Sequence, residues 1–277
     1  MQGSGRLARW LPSPLLKASA LVHVAALASL ARPHAWPWAL GAVVADHLFI
    51  TACGLTPRSG LLGPNLTRLP LAAAAGRIAL TFDDGPDPQV TPRVLELLSA
   101  RAVTGTFFCI GERVARHPDL TREIVRRGHR IENHSAHHPK HFSLLGPRAI
   151  AREIERTQET IGEVCGEQPR FFRAPAGLRS PLLQPVLSRM GLTLVSWTRR
   201  GFDTVNGDAH TVLTRLTREL RAGDILLLHD GHAAHTARGI PVILEVLPAL
   251  LDRCASAGLT PISLREALAG ATTRRDA

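Results

Sequence analysis

The sequence predicts an α/β fold, a distorted (β/α) barrel with about seven βα units, preceded by an N-terminal apolar helical segment. From Gly76 onward, short apolar runs alternate with amphipathic helical patterns, which is typical of a parallel sheet. The count falls short of an eight-unit barrel, so we prefer a shortened barrel over an open, doubly wound sheet. The two apolar stretches before residue 76 show no such alternation. We therefore divide the chain into residues 1–75, the hydrophobic helical segment, and residues 76–277, the βα domain.

Turn and capping residues set the limits of the predicted elements. Thr91-Pro92 begins a helix, whereas Gly128, Gly166 and Gly258 end helices. The predicted strands are 77–82, 104–110, 129–132, 170–173, 192–197, 224–229 and 259–262. The predicted helices are 91–100, 118–128, 147–166, 180–191, 208–222 and 240–257.

Charge and cysteine content exclude some classes of function. The formal net charge is +10, but the arginines are scattered and form no continuous basic stripe interleaved with aromatic residues, so nucleic acid is not an expected partner. The charge fits an anionic membrane surface or anionic glycans better than it fits nucleic acid, but we favour the simpler explanation of a solvated basic exterior. The cysteines are far apart and form no C-x-x-C, so the sequence indicates neither a thiolate zinc site nor a dithiol redox motif.

The N-terminal segment holds two apolar stretches, Leu15 to Ala31 and Trp36 to Leu55. Each is near the ~17–25 residues that span a bilayer. Asp46 lies near the middle of the second stretch, where an aspartate costs about 2.5–3.5 kcal/mol. Basic residues flank the pair on both sides, namely Arg6, Arg9, Lys17, Arg58 and Arg68.

Three interpretations of this segment stay open. It is a membrane hairpin or anchor, a signal peptide cleaved after the small-x-small sequence Ala26-Leu27-Ala28, or a pair of buried or interfacial helices that cap the domain. We favour membrane association through residues 15–55. The expected location is the membrane of a bacterial-type cell envelope, with the side of the membrane left open.

Polar residues collect where the predicted strands end, and parallel βα folds place their active sites at those carboxyl ends. Five strand ends contribute Asp83 and Asp84, then His134 and His138, then Arg173, then Asp203, and finally His229. Singly, each signal is weaker, since Asp83-Asp84-Gly85-Pro86 also suits a turn. Together, they predict one site.

The sequence His134-Ser135-Ala136-His137-His138 spaces imidazoles at i, i+3 and i+4, which share one face if the segment is helical. A histidine-rich loop that includes His141 is the alternative. Two histidines with one carboxylate leave a fourth position for water, as in catalytic zinc sites. Amide hydrolysis also needs a base and an acid, for which the second aspartate and His229 are available. Arg173 and Asp203 are placed to hold the base and the acid, respectively, in their working charge states.

These motifs resemble polysaccharide deacetylases with the NodB homology domain, carbohydrate esterase family 4, over residues 77 to about 268. The matching motifs are Thr81-Phe82-Asp83-Asp84-Gly85, His134-Ser135-x-x-His138, Phe172-Arg173-Ala174-Pro175, Asp203 and Leu227-x-His229. The resemblance implies that Asp83 is the general base, His229 the general acid, and Asp84, His134 and His138 the metal ligands. It also implies that Arg173 orients the base, and that the backbone N–H of Ala176 receives the oxyanion.

The resemblance implies removal of N-acetyl groups from N-acetylglucosamine-type carbohydrate, with zinc or alternatively cobalt as the metal. O-acetyl ester hydrolysis at the same site, a lipid-linked sugar substrate and a catalytically inactive glycan-binding module are the alternatives. The chain departs from the family in two places. Ala176 stands where a tyrosine is usual, and Thr204 replaces the tryptophan that usually follows the fourth-motif aspartate. His137 is an additional histidine, which we expect outside the ligand set.

Overall fold

A computed structural model of the protein describes residues 10–272, so the predicted flanking residues Arg6 and Arg9 lie outside the described residues. The helices are α1 (Pro14–Ser29), α2 (Trp36–Gly54), α3 (Thr91–Ser99), α4 (Gly111–Arg116), α5 (Pro118–Arg126), α6 (Pro147–Cys165), α7 (Leu183–Met190), α8 (Ala209–Thr217), α9 (Val242–Ser256) and α10 (Leu264–Thr272). The strands are β1 (Arg77–Asp83), β2 (Thr106–Cys109), β3 (Arg130–Asn133), β4 (Phe171–Phe172), β5 (Thr193–Leu194), β6 (Arg199–Arg200), β7 (Ile225–His229) and β8 (Thr260–Ile262).

The strands form one sheet in the order β5-β4-β3-β2-β1-β7-β6, and β8 pairs with β1. Every strand pair in this sheet is parallel. On one side of β1, its start from Arg77 to Ala79 pairs with β8, and its end from Thr81 to Asp83 pairs with β2. The curled parallel sheet with its helices confirms the predicted fold class.

The alternation of side chains along β1 decides which residues reach the inside of the curled sheet. Ile78, Leu80 and Phe82 are fully buried in the main hydrophobic core, together with side chains of α3 and α9. Because successive strand residues point to opposite faces, Thr81 and Asp83 face the interior of the barrel. The alternation that buries one set of β1 side chains in the outer core therefore places the Asp83 carboxylate on the inner face, at the carboxyl end of β1.

Residues 66–69, which we call the seam segment, bridge the sheet across its open side. Leu66 donates its backbone N–H to the carbonyl of Leu194 in β5 at 2.9 Å. Three residues later, the backbone N–H of Leu69 donates to the carbonyl of Gly223, just before β7, at 2.8 Å. The seam segment thus hydrogen-bonds to both sides of the gap that the shortened barrel leaves.

Arg58 and Arg68, predicted as basic flanks, contact the barrel. Arg68 Nη2 lies 2.5 Å from Oδ1 of the buried Asp224, and Arg58 Nη1 donates to the carbonyl of Thr198 at 3.1 Å. Leu62 is 1% exposed. The domain boundary at residue 75 stays a prediction, but the chain before it already packs against the barrel.

Helices α1 and α2 form an apolar hairpin that stands out from the barrel. α2 has 19 residues and a mean hydropathy of 1.2, so by length and composition it could cross a membrane, and 11% of its most apolar window is buried. α1 is apolar but shorter, with 16 residues. Large apolar side chains such as Leu21, Trp38 and Leu48 are exposed. This exposure does not fit the alternative of two helices buried against the domain.

Polar side chains meet between the two helices. Ser19 Oγ donates to Asp46 Oδ2 at 2.7 Å, and His23 Nδ1 lies 2.8 Å from the carbonyl oxygen of Ser19. His23 Nε2 and His47 Nε2 are 3.1 Å apart. The Asp46 carboxylate therefore faces the partner helix and has a hydrogen-bond donor there, which lessens the cost of placing it in an apolar hairpin.

Three elements, α4, β6 and α10, have no counterpart in the sequence prediction. α4 forms where a loop was expected, because its six residues are too few to show an amphipathic pattern. β6 consists of Arg199 and Arg200, which pair with Leu226 and Leu227 of β7. Two arginines carry no strand pattern, so this strand forms through its backbone pairing with β7.

Candidate active site and metal centre

The carboxyl ends of the strands meet at a cavity of about 250 Å³. Six of the predicted site residues line it, and Arg173 and Asp203 lie behind it, fully buried. The lining residues are Asp83, Asp84, His134, His138, Ala176, Gly177, Trp197, Arg200, Thr204, Leu227, His229 and His232. The structure therefore brings together the residues that the sequence placed at five separate strand ends.

Asp84, His134 and His138 present three ligand atoms to one point. Asp84 Oδ1 lies 3.3 Å from His134 Nε2 and 3.4 Å from His138 Nε2. Ligands about 2.0–2.1 Å from a tetrahedral zinc ion are separated by about 3.3–3.4 Å, so the observed spacing fits such an ion. Asp84 Oδ1 is buried and has no hydrogen-bond partner among the described residues, as expected of an atom reserved for a cation.

Tautomer and charge state also suit a metal. His134 Nδ1 lies 2.9 Å from the carbonyl oxygen of Arg173, and donation to that oxygen leaves the Nε2 lone pair free to bind. Burial, reinforced by the neighbouring His134, lowers the pKa of His138 to about 4, so this imidazole is neutral at pH 7. Burial alone would raise the pKa of Asp84, but His134 and His232 hold it well below its ordinary value.

The two histidines reach this point from an irregular turn, not from a helix, so the conditional helical explanation of their spacing is wrong. Ser135 and His138 have φ angles of 65° and 50°, in the left-handed region. Ser135 Oγ accepts the backbone N–H of His138 at 3.0 Å and fixes this turn. Asp84 also has a left-handed φ of 71°. Such conformations are costly for residues other than glycine and concentrate at functional sites.

Arg173 and Asp83 form an ion pair inside the barrel. Arg173 Nη1 donates to Asp83 Oδ1 at 2.6 Å and to Thr81 Oγ1 at 2.9 Å. Its Nη2 donates to the carbonyl of Ser196 at 3.0 Å, and its guanidinium lies 4.1 Å from the Phe108 ring centroid. The second carboxylate oxygen, Asp83 Oδ2, lies 3.7 Å from His134 Nε2. One oxygen of Asp83 is thus held by Arg173, while the other is directed toward the ligand cluster.

Asp203 and His229 form a second buried pair. Asp203 Oδ1 lies 2.8 Å from His229 Nδ1, and its Oδ2 accepts the backbone N–H of His229 at 2.8 Å. Burial by itself lowers the pKa of His229, but Asp203, with help from Asp83 and Asp84, raises it above its ordinary value. The imidazolium form is therefore favoured, and Nε2 is left to carry a proton into the cavity.

Known proteins share this sequence pattern. The sequence profile of the polysaccharide deacetylase family matches residues 72–195. A chitooligosaccharide deacetylase from Sinorhizobium fredii is 32% identical over 207 residues, which are 71% of this chain and 90% of that protein. The chain belongs to the polysaccharide deacetylase family. The resemblance inferred from the five motifs is thereby confirmed.

Two further proteins of this kind are similar to the chain. A peptidoglycan-N-acetylglucosamine deacetylase from Bacillus cereus is 33% identical over 175 residues, which are 62% of this chain and 81% of that protein. The solved structure of a family 4 carbohydrate esterase from Streptomyces lividans, in complex with acetate, has a TM-score of 0.61 and 32% identity. That match covers 68% of this chain and 92% of the esterase chain.

The sequence did not identify His232, which lines the cavity of this polysaccharide deacetylase, or its buried neighbour Asp230. His232 Nδ1 lies 3.4 Å from Asp84 Oδ2, and its Nε2 lies 2.9 Å from Arg113 Nη2. Asp230 is fully buried, and burial raises its pKa to about 7, although Thr91 Oγ1 donates to its Oδ2 at 2.5 Å. Asp230-Gly231-His232 directly follows β7, so position after a strand was the available signal for both residues.

The walls of the cavity differ from those expected for the family. Ala176 has a left-handed φ of 54° and lines the cavity beside Gly177. Trp197, which is 6% exposed, supplies an aromatic wall, although Thr204 occupies the position where the family usually has its tryptophan. The Arg200 guanidinium lies 5.3 Å from the Trp197 ring centroid. The sequence marked Trp197 only as the end of a strand, because no motif led from it to the site.

Proposed function

We propose that the protein is a metal-dependent hydrolase that removes N-acetyl groups from N-acetylglucosamine-type carbohydrate. The supporting observation is that two buried ion pairs, Arg173–Asp83 and Asp203–His229, flank the ligand cluster. Each pair couples a proposed proton-transfer residue with a side chain of opposite charge. Binding alone needs no proton acceptor opposed to a proton donor. The relatives support the substrate class, since two of them are named as deacetylases of chitooligosaccharide and of peptidoglycan N-acetylglucosamine.

Asp84, His134 and His138 would hold the metal, for which zinc fits best because of the mixed nitrogen and oxygen ligands. Cobalt is the alternative. When bound, such an ion polarises the acetyl carbonyl and lowers the pKa of an attacking water toward about 7. His137 stays outside this set, since its Nδ1 lies 2.8 Å from Glu153 Oε1.

The residues of the chain supply the proton transfers. Asp83 accepts a proton from water through Oδ2, while Arg173 holds the other carboxylate oxygen, Oδ1, by a hydrogen bond. The water oxygen then bonds to the acetyl carbon, and the oxyanion that forms is placed to accept the backbone N–H of Ala176. As the C–N bond breaks, His229 gives its proton to the amine nitrogen, and Asp203 stabilises its imidazolium beforehand. Acetate and the free amino sugar result.

Two alternatives use the same residues. An O-acetyl ester would be hydrolysed by the same proton acceptor, with less need for His229, because an alkoxide leaves more easily than an amide anion. A catalytically inactive glycan-binding module is the other alternative, and the complete set of acid, base and ligand residues argues against it.

We also propose that residues 15–55 attach the enzyme to the membrane of a bacterial cell envelope. The exposed apolar surface of α1 and α2 and the length of α2 support this proposal. Residues 76–277 would then form the polysaccharide deacetylase domain. The acetylated glycan, rather than nucleic acid, is the expected partner.

Acetate release tests the catalytic proposal directly. The detergent-solubilised full chain, loaded with zinc, is incubated with N-acetylated chitooligosaccharides and, in parallel, with O-acetylated sugars. We expect acetate from the N-acetylated substrates, and loss of at least about 100-fold in kcat with Asp83→Asn or His229→Ala. Equal rates for wild type and both variants would show that the mechanism is wrong, and preference for the esters would favour the esterase alternative.

A further inference from the structure

A second cavity, of about 580 Å³, adjoins the catalytic cavity. Trp197 and Arg200 line both cavities, so a ligand in one can extend past these two side chains into the other. Five arginines line the second cavity: Arg58, Arg199, Arg200, Arg215 and Arg218. Among the described residues, its lining contains no aspartate or glutamate.

Most of this positive charge is uncompensated. Arg199 is neutralised by Asp224, with Nε 3.0 Å from Asp224 Oδ2. Within residues 10–272, no carboxylate lies within 4.0 Å of the other four guanidinium groups. The Nε of Arg200 is buried and has no hydrogen-bond partner among the described residues. A buried donor of this kind is costly unless a ligand supplies the acceptor.

Aromatic rings hold two of these arginines in place. The Arg200 guanidinium lies 4.7 Å from the Phe202 ring centroid, and that of Arg215 lies 5.5 Å from the same centroid. Stacking on a ring fixes the plane of a guanidinium and leaves its N–H edge free. Several such edges around one cavity suit an anion with many oxygen acceptors, and phosphate is the common biological example.

The arginine cavity also lies where the apolar hairpin joins the barrel. Helix α2 ends at Gly54, and Arg58, only four residues later, lines the cavity. This junction is tied to the barrel, since Arg179 donates its backbone N–H to the carbonyl of Gly54 at 3.1 Å. If the hairpin enters a bilayer, the cavity therefore lies close to the membrane surface.

We propose that the arginine cavity binds the phosphate or diphosphate group of an acetylated sugar while the acetyl group occupies the catalytic cavity. This inference rests on the proposed deacetylase function and narrows its substrate to sugar phosphates. The position of the cavity at the end of α2 favours a phosphate that joins the sugar to a membrane lipid. A soluble sugar phosphate presents the same anion.

Three substrates test this proposal on the zinc-loaded full chain in detergent micelles. They are di-N-acetylchitobiose, N-acetylglucosamine 1-phosphate, and N-acetylglucosamine joined to a polyprenol through a diphosphate. Acetate release gives KM for each. We expect the phosphorylated substrates to have a KM at least about tenfold below that of the neutral sugar, an advantage that falls with added salt. A further decrease for the lipid-linked substrate identifies the lipid source, and equal KM values for the two phosphorylated substrates identify the soluble one.

The double variant Arg215→Gln, Arg218→Gln tests the residues. We expect it to raise KM for the phosphorylated substrates about tenfold or more relative to KM for the neutral sugar. The double variant Arg130→Gln, Arg170→Gln is the charge-matched control, because both arginines line a different cavity, and it should leave this ratio unchanged. Equal KM for neutral and phosphorylated sugars in wild type, or an equal rise for both in the double variant, overturns the proposal.

Direct titration with inorganic pyrophosphate separates this inference from the deacetylase function. If the wild type binds pyrophosphate more tightly than the double variant, the proposed phosphate site in the arginine cavity is supported. This holds even if no substrate releases acetate; the lack of acetate would contradict only the proposed deacetylase activity. Acetate release from the neutral sugar, combined with identical pyrophosphate affinity in both proteins, leaves the deacetylase intact and removes the phosphate subsite.

Discussion

Arg173 Nη1 lies 2.6 Å from Asp83 Oδ1 in the interior of the barrel, where Arg173 is 1% exposed and Asp83 3%. The remaining guanidinium donors contact Thr81 and the carbonyls of Val195 and Ser196, so the arginine has little freedom to move. The pair therefore fixes the orientation of the proposed general base, with Asp83 Oδ1 held by Arg173.

Arg173→Met should abolish activity and destabilise the protein by about 3–5 kcal/mol, because it leaves Asp83 as a buried charge without its partner. Denaturant unfolding and acetate release measure the two effects. The double variant Arg173→Met, Asp83→Asn removes both charges and should recover much of the stability but no activity. If the double variant is as unstable as the single one, the ion pair is not the cause.

Asp203→Asn should move the falling, alkaline limb of kcat/KM against pH to lower pH. Asp203 raises the pKa of His229, and His229 acts as an acid only while protonated, so activity declines as pH rises through that pKa. Without the Asp203 charge, the proton leaves at lower pH. A pH profile of the variant with its alkaline limb unmoved would contradict the assignment of His229.

His138→Ala should weaken zinc binding by more than about 100-fold. Loss of a residue that only hydrogen-bonds to a metal ligand typically costs less, about 10–100-fold. Calorimetric titration of the chelator-treated protein measures this affinity. His137→Ala is the matched control, because its ring faces Glu153 and is 44% exposed. Zinc affinity should also fall as pH decreases through the pKa of His134, which burial lowers but Asp83 and Asp84 raise to above its ordinary value. Equal affinities of the two variants would place the metal elsewhere.

Gly177→Ala should reduce kcat/KM by up to about 100-fold through displacement of the cavity wall. Gly177 has a φ of +74°, and an added Cβ would lie 2.5 Å from the Trp197 ring. Gly166→Ala separates strain from contact, since Gly166 has a φ of +72° but no described atom within 4 Å of such a Cβ. Both variants should lose about 1–2 kcal/mol of stability from the left-handed backbone. Only Gly177→Ala should lose activity.

Leu40→Arg combined with Leu48→Arg should release the protein from membranes. Both side chains are exposed on α2, at 56% and 66%, and each arginine near the bilayer centre costs about 2.5–3.5 kcal/mol. Membrane fractionation of expressing cells measures the shift. Leu144→Arg, at an 84% exposed position on the barrel, should have no effect. Unchanged sedimentation of the α2 variant with membranes would remove the case for attachment through the hairpin.

Sequence patterns were sufficient to predict the position of a site residue where that residue lies at the end of a strand. The placement of Arg173 beside Asp83 and of Asp203 beside His229 follows from the rule that parallel strands end at one edge. The order of the βα units could likewise be read from periodicity, although β4 and β5 contain only two residues each. Their neighbours continue the pairing, since the backbone N–H of Arg173 donates to the carbonyl of Asn133 and that of Val195 to the carbonyl of Phe172.

Other features depend on contacts that no local pattern encodes. The turn that brings His134 and His138 together relies on left-handed backbone at Ser135, where serine has no strong preference for that conformation. The arginine cavity combines residues more than a hundred positions apart, and Arg58 reaches it only through the fold. Distant residues of this kind carry no shared sequence signal.

The seam segment limits where the chain can be truncated at its N-terminal side. A shortened protein that starts at residue 72, where the match to the family profile begins, would lack the seam segment. The backbone hydrogen bonds from Leu66 to Leu194 and from Leu69 to Gly223 would then be lost. The segment that connects the hairpin to the barrel is therefore part of the folded barrel itself. A truncation that spares the fold has to retain Leu62, which lies buried only eight residues beyond the end of α2.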